Sequence, residues 1–331
     1  MKNKSILVTG NAGLLGSNLV NWLVENKPEY DVVGIDNLSG GFLEYVNPKC
    51  IFYYRDCGSD LTDIFQRHNI EIVYHFSAEA AESVANFKRK FYYQSNIVDS
   101  ANLINYAIQY KVKRFVFASS MAVYGHNPTP FTENMTPIPC DSYGIGKFAV
   151  ELDLQCAWKQ HGLEYTIVRP HSVYGVNQNL WDSYRNVIGI FMRKILNNEP
   201  VSIYGDGSQT RAFTCIDDLM LPLWLCGTSE NTRLETFNLG SNNEFTIIEM
   251  LDILEEVVGY KVDRKYYPPI YEVHLAFSDH TKARIILGLE CETSLKDGLA
   301  KMWEWAKQEP VRKLQTFDNF EITEGLYDQF K

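Results

Sequence analysis

Long hydrophobic runs are missing: nowhere in the 331 residues is there a stretch of the ~18 apolar residues that spans a bilayer, so no membrane segment is expected. Paired cysteines are missing too. The seven that occur (Cys50, Cys57, Cys140, Cys156, Cys215, Cys226 and Cys291) are scattered without a short-spaced pair. An odd, scattered set excludes a disulfide framework and lacks zinc-ligand spacing, so no metal is expected and the thiols read as reduced, in a cytosol. Positive charge is scarce as well. Lys and Arg number 31 against 41 Asp and Glu, a formal net charge of −10. That balance argues against nucleic acid as a partner, because phosphate neutralisation needs clustered Lys and Arg. It leaves room for a small dianionic ligand, which a few buried arginines and helix N-termini can hold. After Met1-Lys2-Asn3-Lys4 comes Ser5-Ile6-Leu7-Val8-Thr9, too short an apolar stretch for a secretory signal, and a cytoplasmic location is expected. Low-complexity segments and repeats are absent.

What the chain does contain is an alternation. Short runs rich in Val, Ile, Phe and Tyr at 5–9, 31–35, 51–54, 71–76, 113–118 and 164–168 lack strict polar alternation. This is expected of parallel strands covered on both faces. Helical patterns at 14–26, 60–68, 88–110 and 143–161 lie between them. The order predicts an α/β fold, a Rossmann-type doubly wound parallel sheet over residues 1–175 with later segments returning to it. After Arg169-Pro170 loops lengthen, and helices at 184–197, 216–227, 246–258, 280–287 and 294–307 are separated by short strands. Residues 176–311 read mainly as a smaller C-terminal α/β substrate lobe. No role follows from the sequence of the tail, 312–331.

The first strand runs into Gly10-Asn11-Ala12-Gly13-Leu14-Leu15-Gly16 and then an apolar helix. Gly10 permits a tight turn, Gly13 lets backbone approach a pyrophosphate, and Gly16 allows close helix–strand packing. The pyrophosphate would sit on the helix N-terminus. The second strand ends at Asp36, beside Asn37, at the spacing where a carboxylate accepts both ribose hydroxyls and repels a 2′-phosphate. NAD is therefore the expected cofactor.

Tyr143-Gly144-Ile145-Gly146-Lys147 places a phenol and an ammonium four residues apart, on one face of a helix. A free tyrosine has a pKa of ~10, and a neighbouring cation favours the phenolate that acts as a base near neutrality. Taken alone, such a pair is usually a surface feature. Two glycines in a first turn are poor helix formers, so something besides propensity must hold the segment. Upstream, Ala118-Ser119-Ser120-Met121-Ala122-Val123-Tyr124-Gly125 follows the strand 113–118, at the sheet edge where ligands bind. Ser120 could there share a substrate oxygen with Tyr143.

In this order, fingerprint, acidic strand end, Ser-Ser-x-x-Val-Tyr-Gly and Tyr-x-x-x-Lys resemble the extended short-chain dehydrogenase/reductase superfamily. More narrowly, the chain is similar to NAD-dependent nucleotide-sugar epimerases and dehydratases of the UDP-glucose 4-epimerase type, from Ser5 to about Lys307. His75-Phe76-Ser77-Ala78, Asn96, Arg169-Pro170-His171-Ser172-Val173-Tyr174-Gly175 and Tyr204-Gly205-Asp206-Gly207-Ser208-Gln209-Thr210-Arg211 extend the match. So do Asn238-Leu239-Gly240 and Asp279-His280-Thr281-Lys282-Ala283. The resemblance implies Asp56 and Cys57 at the adenine. Phe76, Ser77, Ala78, Asn96, Ser119, Tyr143, Lys147 and Pro170 would line the rest of the cofactor. Ser120, Tyr143 and Lys147 would be catalytic, and Ser120, Ser172, Asn186, Val187, Tyr204 and Arg211 would meet the substrate. It also implies a homodimer through helices 88–110 and 143–161.

Two positions after Ser120, where similar dehydratases carry Asp-Glu and related decarboxylases a Glu, this chain has Met121 and Ala122. Neither transfers a proton, which favours epimerisation at carbon 4 of a UDP-hexose, in the glucose/galactose, N-acetyl or uronic acid form. The rival readings are a dehydratase or reductase and, from another class, a non-catalytic NAD-binding regulator. A serine hydrolase is excluded by the lack of a Gly-x-Ser-x-Gly elbow. Two residues depart from the family. Ser172 stands where Asn is frequent, and Ile270 where many members carry a phosphate-binding Arg. Losing one charge-assisted bond costs ~1.5–3 kcal/mol, and Arg264 or Lys265 is the candidate replacement. Ala276 falls where some epimerases carry a bulky gate, leaving room for an N-acetyl sugar.

Overall fold

The computed structural model describes residues 3–317 and 319–330. Six parallel strands, β1 (Lys4–Thr9), β2 (Asp31–Asp36), β3 (Ile51–Tyr54), β4 (Asn69–His75), β5 (Arg114–Ala118) and β6 (Tyr165–Pro170), lie in the order β3-β2-β1-β4-β5-β6. A seventh, Thr236–Leu239, returns from the second half and pairs in parallel with β6.

Successive residues of each strand enter different cores. Ile6, Val8, Val32, Tyr74, Val116 and Val168 face one side, against Leu19 and Leu23 of helix Leu14–Asn26 and Leu223 of helix Met220–Thr228. Leu7, Val33, Ile35, Val73, Phe115 and Ile167 face the other, against Leu103 and Ile104 of helix Asp99–Gln109 and Val150 and Leu154 of helix Ser142–His161. With both faces covered, no strand needs a polar side, which is why the strands read as continuous apolar runs. A third core ties helix Val187–Leu196 to strand Val201–Tyr204 and to helices Ile247–Val258 and Leu295–Ala306.

Most differences from expectation have local causes. The helix expected over 88–110 is Arg89–Tyr93, a widened turn at Gln94–Val98, and Asp99–Gln109. The helix expected over 184–197 starts only at Val187, because Asn186 takes a left-handed conformation, φ 67°. That over 216–227 opens as a tighter turn, Ile216–Leu219, before Met220–Thr228. The helix near 246–258 starts where Thr246 and Glu249 form a capping box.

Candidate active site

A cleft of about 1230 Å³ opens at the carboxyl ends of β1, β2, β4, β5 and β6. The order of strands reverses there, and open α/β sheets bind their ligands at such a point. Of the residues expected at the site, all but Asp56, Cys57 and Asn96 line this cleft.

One end is built from backbone. Gly10 has φ 68°, and a Cβ there would meet Ser77 N at 2.9 Å. A Cβ on Gly16 would stand 2.1 Å from the Gly10 carbonyl oxygen, so only glycine lets helix Leu14–Asn26 start this close to β1. Gly13 differs: its Cβ would meet only Gly10 O, at 3.4 Å, and no side chain caps the helix behind it. The helix's first N–H groups, which have no intrahelical partner, are thus open to a ligand. Asp36 is buried and accepts from Ala12 N at 2.9 Å and Leu38 N at 2.7 Å, one bond on each oxygen. Burial raises its pKa above the ordinary value, with the two backbone donors opposing. Each carboxylate oxygen keeps acceptor capacity for a hydroxyl. These features fit a dinucleotide.

The three residues outside the cleft support its walls. Asp56 accepts from Asn37 Nδ2 at 3.1 Å. Cys57 is buried, which pushes its thiol up to about 12. The Asn96 amide exchanges two hydrogen bonds with the Glu79 backbone, 2.8 and 2.9 Å, and so fixes the loop after β4.

At the centre, Tyr143 and Lys147 project from helix Ser142–His161. Of its two early glycines, Gly144 is explained by contact, whereas Gly146 meets nothing closer than Asn96 Cβ at 3.4 Å. A Cβ on Gly144 would lie 2.6 Å from Ala122 O, so glycine lets the helix press on the turn Met121–Tyr124. Asp141 caps the helix, accepting from Gly144 N at 2.8 Å. The approach brings the Tyr143 phenol beside Ser120 in the cleft. Ser120 is itself held by accepting from Ala122 N at 3.1 Å. The Lys147 ammonium donates to Ala118 O at 2.7 Å and lies 5.7 Å from the centre of the Tyr143 ring. Burial brings Lys147 down to about 7, against the pull of Glu151. Burial raises Tyr143 well above its ordinary value, and the Ser120 hydroxyl opposes this. In the ligand-free protein desolvation outweighs the expected depression of the phenol.

Behind the pair lies a buried network. Ser119 donates to Glu151, which holds Arg169 through two bonds at 2.6 and 2.9 Å. Arg169 donates to Tyr124 at 2.7 Å, and Tyr124 to Asn238 at 2.7 Å. All members are satisfied, the condition for a buried polar network to stiffen a core.

The other end is built from side chains. Arg211 pairs with Glu272 at 2.5 Å and donates to Thr210 O at 2.8 Å. Asn186 donates to Val173 O at 2.8 Å, and Ser172 sits in a strained turn, φ 35°. Tyr204 faces Tyr267, ring centres 5.9 Å apart. Gln178 is buried with neither amide atom partnered. Such a group costs about 1–3 kcal/mol unless something pairs with it. Ile270 and Ala276 line the cleft, whereas Arg264 and Lys265 do not. Arg264 is held by Asp252 and Glu255 of helix Ile247–Val258, so it does not replace the missing arginine.

Sequence reasoning missed four elements: Asp141, Glu82, Arg185 and the tail. Asp141 carried a signal, an acidic residue three before Gly144 at a helix start. Glu82 lines the cleft while exposed at its mouth, and the nearby Asp141 carboxylate pushes in the direction of a raised pKa. Arg185 lines the cleft and pairs with Asp182 at 2.5 Å. From the tail, Arg312, Leu314, Thr316, Phe317, Tyr327 and Phe330 reach the cleft.

Residues 6–240 match the model of the NAD dependent epimerase/dehydratase family. The chain belongs to this family. Its cofactor is accordingly NAD, a dinucleotide of the kind the glycine cradle and Asp36 fit. Among family members, the chain is 34% identical to a putative UDP-glucose 4-epimerase of Methanocaldococcus jannaschii, over 91% of this chain and 98% of that one. It superposes on the crystal structure of Thermotoga maritima UDP-glucose 4-epimerase with UDP-glucose, TM-score 0.86 and 34% identity, over 91% and 98% of the two chains. The Bacillus cereus UDP-glucuronic acid 4-epimerase, in complex with UDP-glucuronic acid and NAD, gives a TM-score of 0.84 and 28% identity over 92% and 99%.

Proposed function

We propose that the protein inverts the configuration at carbon 4 of a UDP-hexose, through a transient 4-keto sugar. The observation that carries this is the Tyr143–Ser120 pair beside Lys147, in a cleft where positions 121 and 122 hold no acid or base. The relatives that act on UDP-glucose and UDP-glucuronic acid support the UDP-sugar part. Ala276, small and at the cleft, leaves room for an N-acetyl group as well.

NAD, when bound, would supply a reversible hydride acceptor, and Lys147 is the residue placed to favour the Tyr143 phenolate. Gly10, Gly13, Gly16 and Asp36 would hold it at the backbone-built end. Tyr143 accepts the proton of the 4-hydroxyl and later returns it, while Ser120 orients that oxygen. Lys147 keeps positive charge near the phenol, and Ser119, through Glu151, ties the strand end to helix Ser142–His161. Arg211, released from Glu272, takes the diphosphate as a charge-assisted acceptor. The protein is inferred to act as a homodimer, since Val98, Ile145 and Leu152 expose apolar side chains on the two helices expected at that interface.

Tyr143→Phe is the test. Turnover of UDP-glucose, UDP-galactose and their N-acetyl and uronic forms should fall by about 10²–10⁴-fold, with bound NAD retained. Unchanged turnover would refute the assignment. Glu82 gives the rival dehydratase reading a carboxyl to work with, and a released 4-keto or unsaturated sugar would favour it.

A further inference from the structure

Nearly the whole length of each relative is used in the match, yet about a tenth of this chain is left over. The stretch beyond the family resemblance, from Arg312 on, is not a loose appendage. Arg312 stacks on Phe42, 3.9 Å from the ring centre, on the cofactor side. Gln315 N then donates to Trp181 O at 2.7 Å, and its side chain accepts from Asn179 at 2.6 Å. Phe317 lies flat on Tyr184, centres 5.1 Å and planes 7° apart, and the Lys88 ammonium sits 4.0 Å from the centre of the Phe317 ring. Glu321 accepts from Lys90 N and Phe91 N at 2.8 and 2.9 Å, capping the short helix Arg89–Tyr93. The Tyr327 hydroxyl accepts from Tyr271 N at 2.7 Å. Phe330 closes the path, 5.4 Å from the Tyr184 ring and 6.2 Å from that of Tyr204.

The tail thus crosses the cleft from its cofactor end to its substrate end, fixed at both. Where it finishes, the Tyr204 ring stands between those of Tyr267 and Phe330, 5.9 and 6.2 Å away, and all three line the cleft that Arg211 also lines. The Gln209 amide donates both to the Tyr204 carbonyl and to Glu272, the partner of Arg211, which links the rings to the guanidinium; a nucleoside diphosphate needs both, a stacking surface for the base and a forked donor for the phosphates.

We propose that residues Arg312–Phe330 are a wall of the substrate site, with Phe330 packing on the base of the bound nucleotide diphosphate and so setting its affinity. This rests on the reading that the Arg211 end takes a UDP-sugar. It also offers a substitute for the missing arginine at Ile270: binding lost at the phosphates is recovered at the base.

The experiment is calorimetric titration of UDP into the NAD-loaded native chain, Phe330→Ala and Phe330→Tyr, with thermal unfolding of each as the check on folding. Phe330→Ala should bind UDP about tenfold more weakly, the size of one lost stacking contact, and Phe330→Tyr should bind as the native chain does. In turnover, KM should rise with kcat little changed. Equal UDP affinity in native and Phe330→Ala proteins would overturn the wall. Tighter binding by Phe330→Ala would overturn it too, showing that Phe330 fills the base's place and is a plug. If the native chain itself binds no UDP, the substrate reading fails, and that outcome is separate from either.

Discussion

The two ends of the cleft are made from different material. The cofactor end is backbone: glycines whose missing Cβ atoms create the space, a helix start, and one buried carboxylate held by two N–H groups. The substrate end is side chain: an arginine paired with a glutamate, a ring cluster, an unpartnered glutamine and a returning tail. Backbone geometry is set by the fold and changes little on binding. Side-chain pairs must be broken and remade, so the substrate end should be tunable where the cofactor end is all or none.

The largest effect should come from breaking the backbone end. Gly16→Ala places a methyl 2.1 Å from a backbone oxygen, which cannot move without shifting β1. Loss of bound NAD and a fall in melting temperature are expected together, read by absorbance of released cofactor and by calorimetry. Gly13→Ala separates the two: no contact tighter than 3.4 Å opposes it, so the fold should survive while NAD is lost. If Gly13→Ala kept NAD, the cradle would not hold the pyrophosphate.

At the side-chain end the effects should be graded. Arg211→Ala should weaken UDP by about tenfold to a hundredfold, the worth of a charge-assisted bond. Glu272→Gln should act in the opposite direction, tightening UDP a few-fold, because the carboxylate competes with the diphosphate for the guanidinium. Weaker binding in Glu272→Gln would mean that Glu272 holds Arg211 in place instead of competing for it.

A pH dependence belongs to the junction of the two ends. Lys147 titrates near 7 in the folded chain and at its ordinary 10.5 when unfolded. Between those values the unfolded state binds more protons, so stability rises with pH across that window. Lys147→Met removes the titrating group. The stability difference between the variant and the native chain should shift in the variant's favour as pH falls from 10.5 to 7 and level off below. A difference independent of pH would show that burial does not lower the lysine's pKa and that it stays charged in the fold.

The sheet, the glycine cradle, Asp36 and the Tyr143/Lys147 pair were legible in the sequence because each is a local spacing: strand then turn then helix, or four residues on one helix face. Ser120 was legible through its place after a strand. Glu272, Arg185 and Phe330 were not, because they reach the cleft by contacts between segments far apart in the chain. The loop carrying Glu272 reads as a break around Pro268 and Pro269, and nothing in it announces a partner for Arg211. The tail mixes charge and aromatics with no period, so neither helix nor strand could be assigned. It is ordered by stacking on Tyr184 and by the Glu321 cap, which sequence spacing does not encode. The phenol's titration was not legible for a similar reason: spacing placed Lys147 on the right face but carries no sign of how deeply packing buries Tyr143.

The seventh strand bears on how the chain assembles. Thr236–Leu239 pairs with β6, which ended at Pro170, after the intervening lobe has been traversed. Closing so long an excursion carries a chain-entropy cost before any pairing repays it, which slows folding. Until it closes, β6 is an open edge of parallel sheet with Ile167 and Val168 beside it, the kind of surface that recruits other chains. Aggregation during folding should therefore be governed less by the first half of the protein, where the fingerprint lies, than by how quickly four residues of the second half arrive.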